Sequence, residues 1–449
     1  MEQAVAAADT AWMLAAFALV SIMVAGLALF YGGMVSVKNT LNMAMMVFGA
    51  LAVVGVLWII VGYSASFGNS LGGLGLLGDP LEYFGSSKLL DAPATPGLPP
   101  AIFSAFQLLF AALTVALIAG AVADRMKFGS WMTFAGIWAL LVYFPVAHWV
   151  FAFDSKDGSV HGGWIANKLK AIDFAGGTAV HINAGIAGLA LALVLGKRKV
   201  FPNSPRPHSI PLTMLGAGIL FCGWFGFNGG SALSSGNPAS VVVLNTLAAS
   251  CAGICGWLVV EKFKEGHATS LGGASGLIAA LVGITPACGA VSPVGALIVG
   301  AVCGVACCFA VSLKYRFGLD DSLDVVGIHL TGGIIGTLLI GLLADGSAPN
   351  AVAGLFYGGG LDQLWRQTVA VLAVLAYTFV VTLGIAKVME RFGGIRADAE
   401  SEAMGLDLAV HSETAYVLDH VSMPAAKTEP ADAVTAAEAM TSKAAVAVE

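Results

Sequence analysis

Apolar residues run along this chain in eleven long blocks separated by short polar segments. The blocks fall at 11–33, 42–66, 101–123, 130–151, 175–195, 211–232, 239–261, 271–286, 289–312, 326–344 and 367–390. At 1.5 Å of rise per residue, about 20 residues cross the roughly 30 Å hydrocarbon core of a bilayer. The pattern therefore predicts an all-α membrane protein with eleven transmembrane helices, the eighth shorter than the rest. Composition agrees: 58% of residues are hydrophobic and only 11% charged, against roughly 25% charged in soluble domains. Glycine is abundant, 57 of 449 residues, nearly twice the usual share of about 7%. The glycines fall inside the apolar blocks, where small residues let helix backbones approach closely.

Two blocks contain a histidine. His181 lies in DFAGGTAVHINAGIAGLALALVLG and His329 in DVVGIHLTGGIIGTLLIGLLA. An ionisable side chain in a spanning helix is costly and marks function by default. Both segments have an Asp at the entrance (Asp173, Asp324) and Gly-rich flanks. The histidines fall in the fifth and tenth blocks, which predicts a 5+5 repeat plus a final helix. Five is odd, so the second half is inverted relative to the first, and each half brings one His to a shared central path. LALFYGGM at the end of the first block and FGFNGGSA at the end of the sixth add weak internal similarity.

Basic residues set the orientation. Connections after odd-numbered blocks carry 11 Lys and Arg, and those after even-numbered blocks carry 5. This predicts the N-terminus outside and the C-terminus cytoplasmic. MEQAVAAADTA has no basic n-region, so the first block is read as a retained helix rather than a cleaved signal. Residues 1–390 form the membrane domain, 391–420 an ordered cytoplasmic segment, and 421–449 an Ala-rich tail predicted to be disordered. The net charge of −6 says little, because much of the acid lies in the tail. The seven cysteines lack the mixed Cys/His spacing of a zinc site and read as small packing residues. No metal or cofactor is expected.

The segments TAWMLAAFALV with GLALFYGGMV, FQLLFAALTVALIAGAVADRMKF, AIDFAGGTAVHINAGIAGL, GWFGFNGGSAL, DDSLDVVGIHLTGGIIG and GLDLAVHSETAY occur in this order along the chain. Together they resemble the ammonium transporter family (Amt/MEP/Rh), in its bacterial Amt branch. The resemblance implies a homotrimer of eleven-helix subunits, each with its own narrow pore in the cell membrane. It makes His181 and His329 the twin-histidine pair midway along that pore. Phe106 and Phe110 match the aromatic positions of the outer constriction, Phe227 a second pore-blocking Phe, and Trp224 a further pore-side aromatic. Ser231 matches the vestibule hydroxyl that hydrogen-bonds the cation. Asp173 matches the acid near the entrance, with Asp324 as its counterpart. Both precede long apolar runs and are read as structural acids that cap helices, not as cation contacts.

Two positions depart from the family pattern. The outer cation site usually includes a Trp where AHWVFAF has Phe151. The Phe ring attracts cations less strongly than Trp, so Phe110, Phe151 and Ser231 form the expected site, with Trp149 or Trp164 as compensating rings. Ala25-Gly26 replaces a common Pro-Gly, predicting a straighter first helix. His148, late in the fourth block, is read as interfacial.

The chemistry follows from the difference between ammonium and potassium. They are alike in size and charge, but ammonium donates directed hydrogen bonds and can lose a proton. Aromatic faces and a hydroxyl hold the cation at the mouth. A dry, apolar path then penalises any bare ion while sparing neutral ammonia. Two imidazoles in contact can guide ammonia and relay a proton. The expected sequence is deprotonation outside, ammonia passage past both histidines, and reprotonation inside.

The tail segment GLDLAVHSETAY implies, through the resemblance, packing beneath a neighbouring subunit and a PII-type signalling partner at the cytoplasmic face. Nucleic acid is not an expected partner. A sensor is the second reading, though only about 60 residues follow the last block, fewer than a typical appended signalling domain. A membrane enzyme is disfavoured, since no intramembrane nucleophile–base set is evident. An Rh-type carbon dioxide carrier is disfavoured by DFAGGTAVHINAG and the tail.

Overall fold

The computed structural model describes residues 2–90, 97–203 and 206–416. Among these residues it is all-helical, with isolated β-bridges and no β-strand. Ten helices are long and apolar enough to cross a membrane: α1 (Glu2–Met34), α2 (Val37–Phe67), α3 (Pro100–Val122), α4 (Phe128–Phe151), α5 (Gly177–Leu195), α6 (Ile210–Gly230), α7 (Asn237–Glu265), α9 (Pro293–Phe317), α10 (Val326–Leu343) and α11 (Asp362–Gly393). Between α7 and α9 lies the shorter apolar helix α8 (Ser270–Ile284), whose 15 residues span about 22 Å. Two short helices follow, α12 (Ala399–Met404) and α13 (Leu406–His411).

Local sequence accounts for the helix limits. Ser209, Thr269 and Ser292 cap α6, α8 and α9, their hydroxyls accepting Leu212 N, Gly272 N and Gly295 N. Proline in the first turn starts α3, α6, α7 and α9, where the missing N–H costs nothing. Left-handed Gly266 and Gly318 end α7 and α9. Both helices run beyond the apolar blocks, through Lys262–Glu265 and Leu313–Phe317. Lys, Glu, Arg and Leu are good helix formers, so the helix outlasts its hydrophobic signal.

Packing depends on missing side chains. α1 and α6 lie antiparallel along each other: Gly33 meets Thr213, Gly216 meets Phe30, and Gly226 meets Leu19. A Cβ at Gly216 would stand 2.3 Å from the Phe30 backbone nitrogen, so only glycine permits this approach. α5 and α10 are also antiparallel, with Gly188 beside Val325, Gly185 beside Leu330, and Gly177 beside Thr337. This crossing brings the two halves of the chain to a common level.

The loops divide between two ends. At one end, which is rich in basic residues, Arg198 pairs with Asp320 at 2.8 Å and Asp124 at 2.9 Å. Buried Arg125 donates to Ser322 Oγ and to the Asp320 carbonyl. Burial pushes its guanidinium down to about 10. These contacts bind the α3–α4, α5–α6 and α9–α10 connections together.

Residues as far as Glu413 belong to one compact unit, which therefore includes 394–413. Met126 and Arg396 form a backbone bridge. The Asp407 carboxylate accepts Leu41 N at 3.0 Å and Asn42 N at 2.7 Å, capping α2. Leu406 N donates to Asn39 Oδ1, and His411 packs edge-on against Phe128. Within this chain, the segment docks on α2 and α4 of its own bundle. The tail at 421–449, like 417–420, lies outside the described residues.

Candidate functional site

At the end opposite the basic loops lies a vestibule of about 510 Å3. Phe110, Phe151, Ser231 and Asp173 all line it, together with Gln107 and Phe103. The Ser231 hydroxyl donates to the Phe227 carbonyl at 2.8 Å, which leaves its oxygen lone pairs for an N–H donor.

Stacked phenylalanines close the floor. The Phe110 and Phe227 rings lie 3.9 Å apart and 18° from parallel, and both are buried. Phe106 does not line the vestibule. It packs behind Phe110 at 4.9 Å and against Gly230, and so supports the gate from one helical turn away.

Beyond the gate the histidines meet. His329 Nδ1 lies 3.2 Å from His181 Nδ1, with the rings 5.3 Å apart and 19° from parallel. Trp224 lies beside His181, its ring 5.7 Å away and 21° from parallel. Each histidine sits in a π-helical turn, Gly177–Ile182 at the head of α5 and Val326–Leu330 at the head of α10. Such turns widen the helix and recur at functional sites. A narrow cavity of about 30 Å3 continues past the pair, walled by Met23, Leu27, Phe30, Leu113, Leu220 and Ile278. Besides the imidazoles, the polar groups on its wall are the Trp224 indole N–H and the Tyr31 hydroxyl, bonded to Thr285 and to the Leu117 carbonyl.

The acids divide differently from the expectation. Asp173 caps α5: its carboxylate accepts Gly176 N at 2.7 Å, Gly177 N at 2.6 Å and Thr178 N at 2.7 Å, plus the Thr178 hydroxyl. Asp324 does not do this for α10. It has φ of 61° and pairs with Lys314 at 2.7 Å. The cap is Asp321, whose carboxylate accepts Val325 N at 3.0 Å and Val326 N at 2.7 Å. Burial, then the neighbouring Asp324, pushes Asp321 up to about 6. The signal was in the sequence: Asp173 stands eight residues before His181, and Asp321 stands eight before His329.

Other residues also fall away from their expected places. Trp149 and Trp164 pack at a tilt of 57° with their rings 5.9 Å apart, outside the vestibule wall, and Trp149 donates to the Leu76 carbonyl. Neither replaces the ring at Phe151. His148 is fully buried within the protein, with Nδ1 3.0 Å from the Ser66 carbonyl, because the end of α2 and the 152–163 loop cover that turn of α4.

Comparison with known proteins bears on what this path carries. Residues 11–416 match the model of the Ammonium Transporter Family. The chain belongs to the ammonium transporter family. It is 53% identical over 431 residues to an ammonium transporter of Mycobacterium tuberculosis (strain ATCC 25618 / H37Rv), covering 91% of this chain and 90% of that one. An ammonium transporter of Bacillus subtilis (strain 168) is 46% identical over 419 residues, 91% of this chain and 98% of its own. Among solved structures, Saccharomyces cerevisiae Mep2 is similar at a TM-score of 0.79 and 36% identity, with 88% of each chain covered. A structure titled Sensor Amt Protein is similar at a TM-score of 0.83 and 27% identity, covering 91% of this chain and all of that one. As a member of the ammonium transporter family with its long apolar helices, the chain is a multi-pass membrane protein.

Proposed function

We propose that each subunit recruits ammonium in the aromatic vestibule, removes its proton there, and conducts ammonia past His181 and His329, the pair relaying a proton inward. The observation that carries this reading is the histidine pair, in direct contact behind a closed aromatic gate and ahead of a narrow, largely apolar cavity. A cation leaving the vestibule for that cavity would lose its hydration without compensation. Ammonia needs far less. Phe110, Phe151 and Ser231 form the outer cation site, Phe110 and Phe227 the gate, with Phe106 behind it and Trp224 beyond it. Asp173 and Asp321 hold the helices that carry the histidines.

In this reading all eleven helices span the bilayer in an inverted 5+5 arrangement plus α11, as the antiparallel pairs α1–α6 and α5–α10 favour. The basic loops face the cytoplasm, the N-terminus faces outward, and the membrane is the cell membrane. The family implies a homotrimer and a PII-type signalling protein at the cytoplasmic face. The protein acts as a carrier and not as an enzyme.

The test is current from purified protein in liposomes on a supported membrane, under an ammonium pulse and then a potassium pulse. Current with ammonium alone supports selective, charge-moving transport. Silence with ammonium, with no change in an internal pH dye, would overturn it.

A further inference from the structure

We propose that Thr285 is a positioning residue for the histidine pair and acts through Trp224; this rests on the proposed function above. Thr285 directly follows α8. Its hydroxyl donates to the Leu281 carbonyl at 2.7 Å and accepts the Trp224 indole N–H at 2.9 Å. Both side chains are buried. Indole has a single polar atom, so this bond is the one directed restraint available to the ring.

The Trp224 ring lies 5.7 Å from His181 and 21° from parallel, and His181 meets His329 edge to edge through Nδ1. His181 Nε2 has no hydrogen-bond partner, and Nδ1 faces the other histidine. What sets the tilt of His181 is therefore the near-parallel Trp224 ring beside it, and what sets that ring is Thr285. The next residue ties the anchor to the same helix: the Pro286 carbonyl accepts Phe174 N at 3.1 Å just ahead of α5, and the Pro286 ring packs on Gly177. Thr285 thus fixes the height of the indole relative to the helix that bears His181. Without this bond, the indole would turn within its site and the imidazole would lose the face that holds its Nδ1 toward His329.

The roles separate through a double-mutant cycle in the full-length protein in liposomes. Thr285→Val keeps the shape and removes the acceptor, so maximal ammonium current falls roughly three- to tenfold, the worth of one hydrogen bond. Half-saturating ammonium stays constant because the vestibule is untouched. Thr285→Ser keeps the acceptor and restores the current. Trp224→Phe also lowers the current, and adding Thr285→Val to it changes nothing further. That double variant buries no unpaired indole donor, which keeps the test open if Thr285→Val alone does not fold. Losses that multiply in the double variant, or a wild-type current in Thr285→Val, would overturn the proposal and leave the proposed function standing. A wild-type protein silent to ammonium would overturn both.

Discussion

Asp173 and Asp321 hold equivalent places in the two halves of the chain: each stands eight residues before a buried histidine, and its carboxylate takes the first backbone N–H groups of the helix that carries it. The α5–α10 crossing brings those histidines together. A free helix start leaves four donors unpaired, and inside a membrane protein water is scarce to satisfy them.

Loss of either cap should therefore destabilise the bundle. Asp173→Ala and Asp321→Ala are each expected to cost about 1–2 kcal/mol, seen as a lowered melting temperature in detergent. Asp324→Asn keeps a side chain suited to the φ of 61° and an oxygen acceptor for Lys314, and should cost less. A larger loss from Asp324→Asn would contradict the assignment.

Asp321 also gives a pH dependence of definite sign. Burial and then the neighbouring Asp324 push its carboxyl up from its ordinary 3.8 to about 6. Between those values the native chain holds more protons than the unfolded one, so this contribution to stability falls as pH rises from about 4 to about 6. Asp321→Asn should remove that component. Melting temperatures of the two proteins across this window test it, and parallel curves would contradict it.

The outer site makes a prediction in the opposite direction, a gain. Phe151 lines the vestibule and no tryptophan stands in for it. Phe151→Trp should strengthen cation–π attraction by about 0.5–1 kcal/mol, lowering half-saturating ammonium roughly two- to fivefold. Concentration-dependent currents measure this directly.

The docked segment 394–413 depends on Asp407, which is buried and caps α2. Asp407→Ala should release it. Limited proteolysis is expected to cut near Arg396 in the variant and to spare the wild type under the same conditions.

Much of this was legible in the sequence, because a membrane helix writes its length and polarity into consecutive residues. The two histidines were conspicuous for the same reason: a titratable group stands out against an apolar run. Asp324 lies nearer the apolar block, but the eight-residue spacing to the histidine belongs to Asp321. Phe106 and Phe110 lie four apart on one helix face, and the chain alone does not reveal which ring meets Phe227 and which stands behind. Thr285 carries no local signal at all, since its partner Trp224 is 61 residues away. Periodicity reports burial, and contacts across helices depend on register.

The most direct test of the account compares ammonium and potassium currents from the His181→Ala/His329→Ala variant with those from wild-type protein in the same liposomes. The double variant is expected to lose either the ammonium current or its selectivity over potassium. Ammonium current at the wild-type level, with potassium still excluded, would contradict a path that runs through the histidine pair.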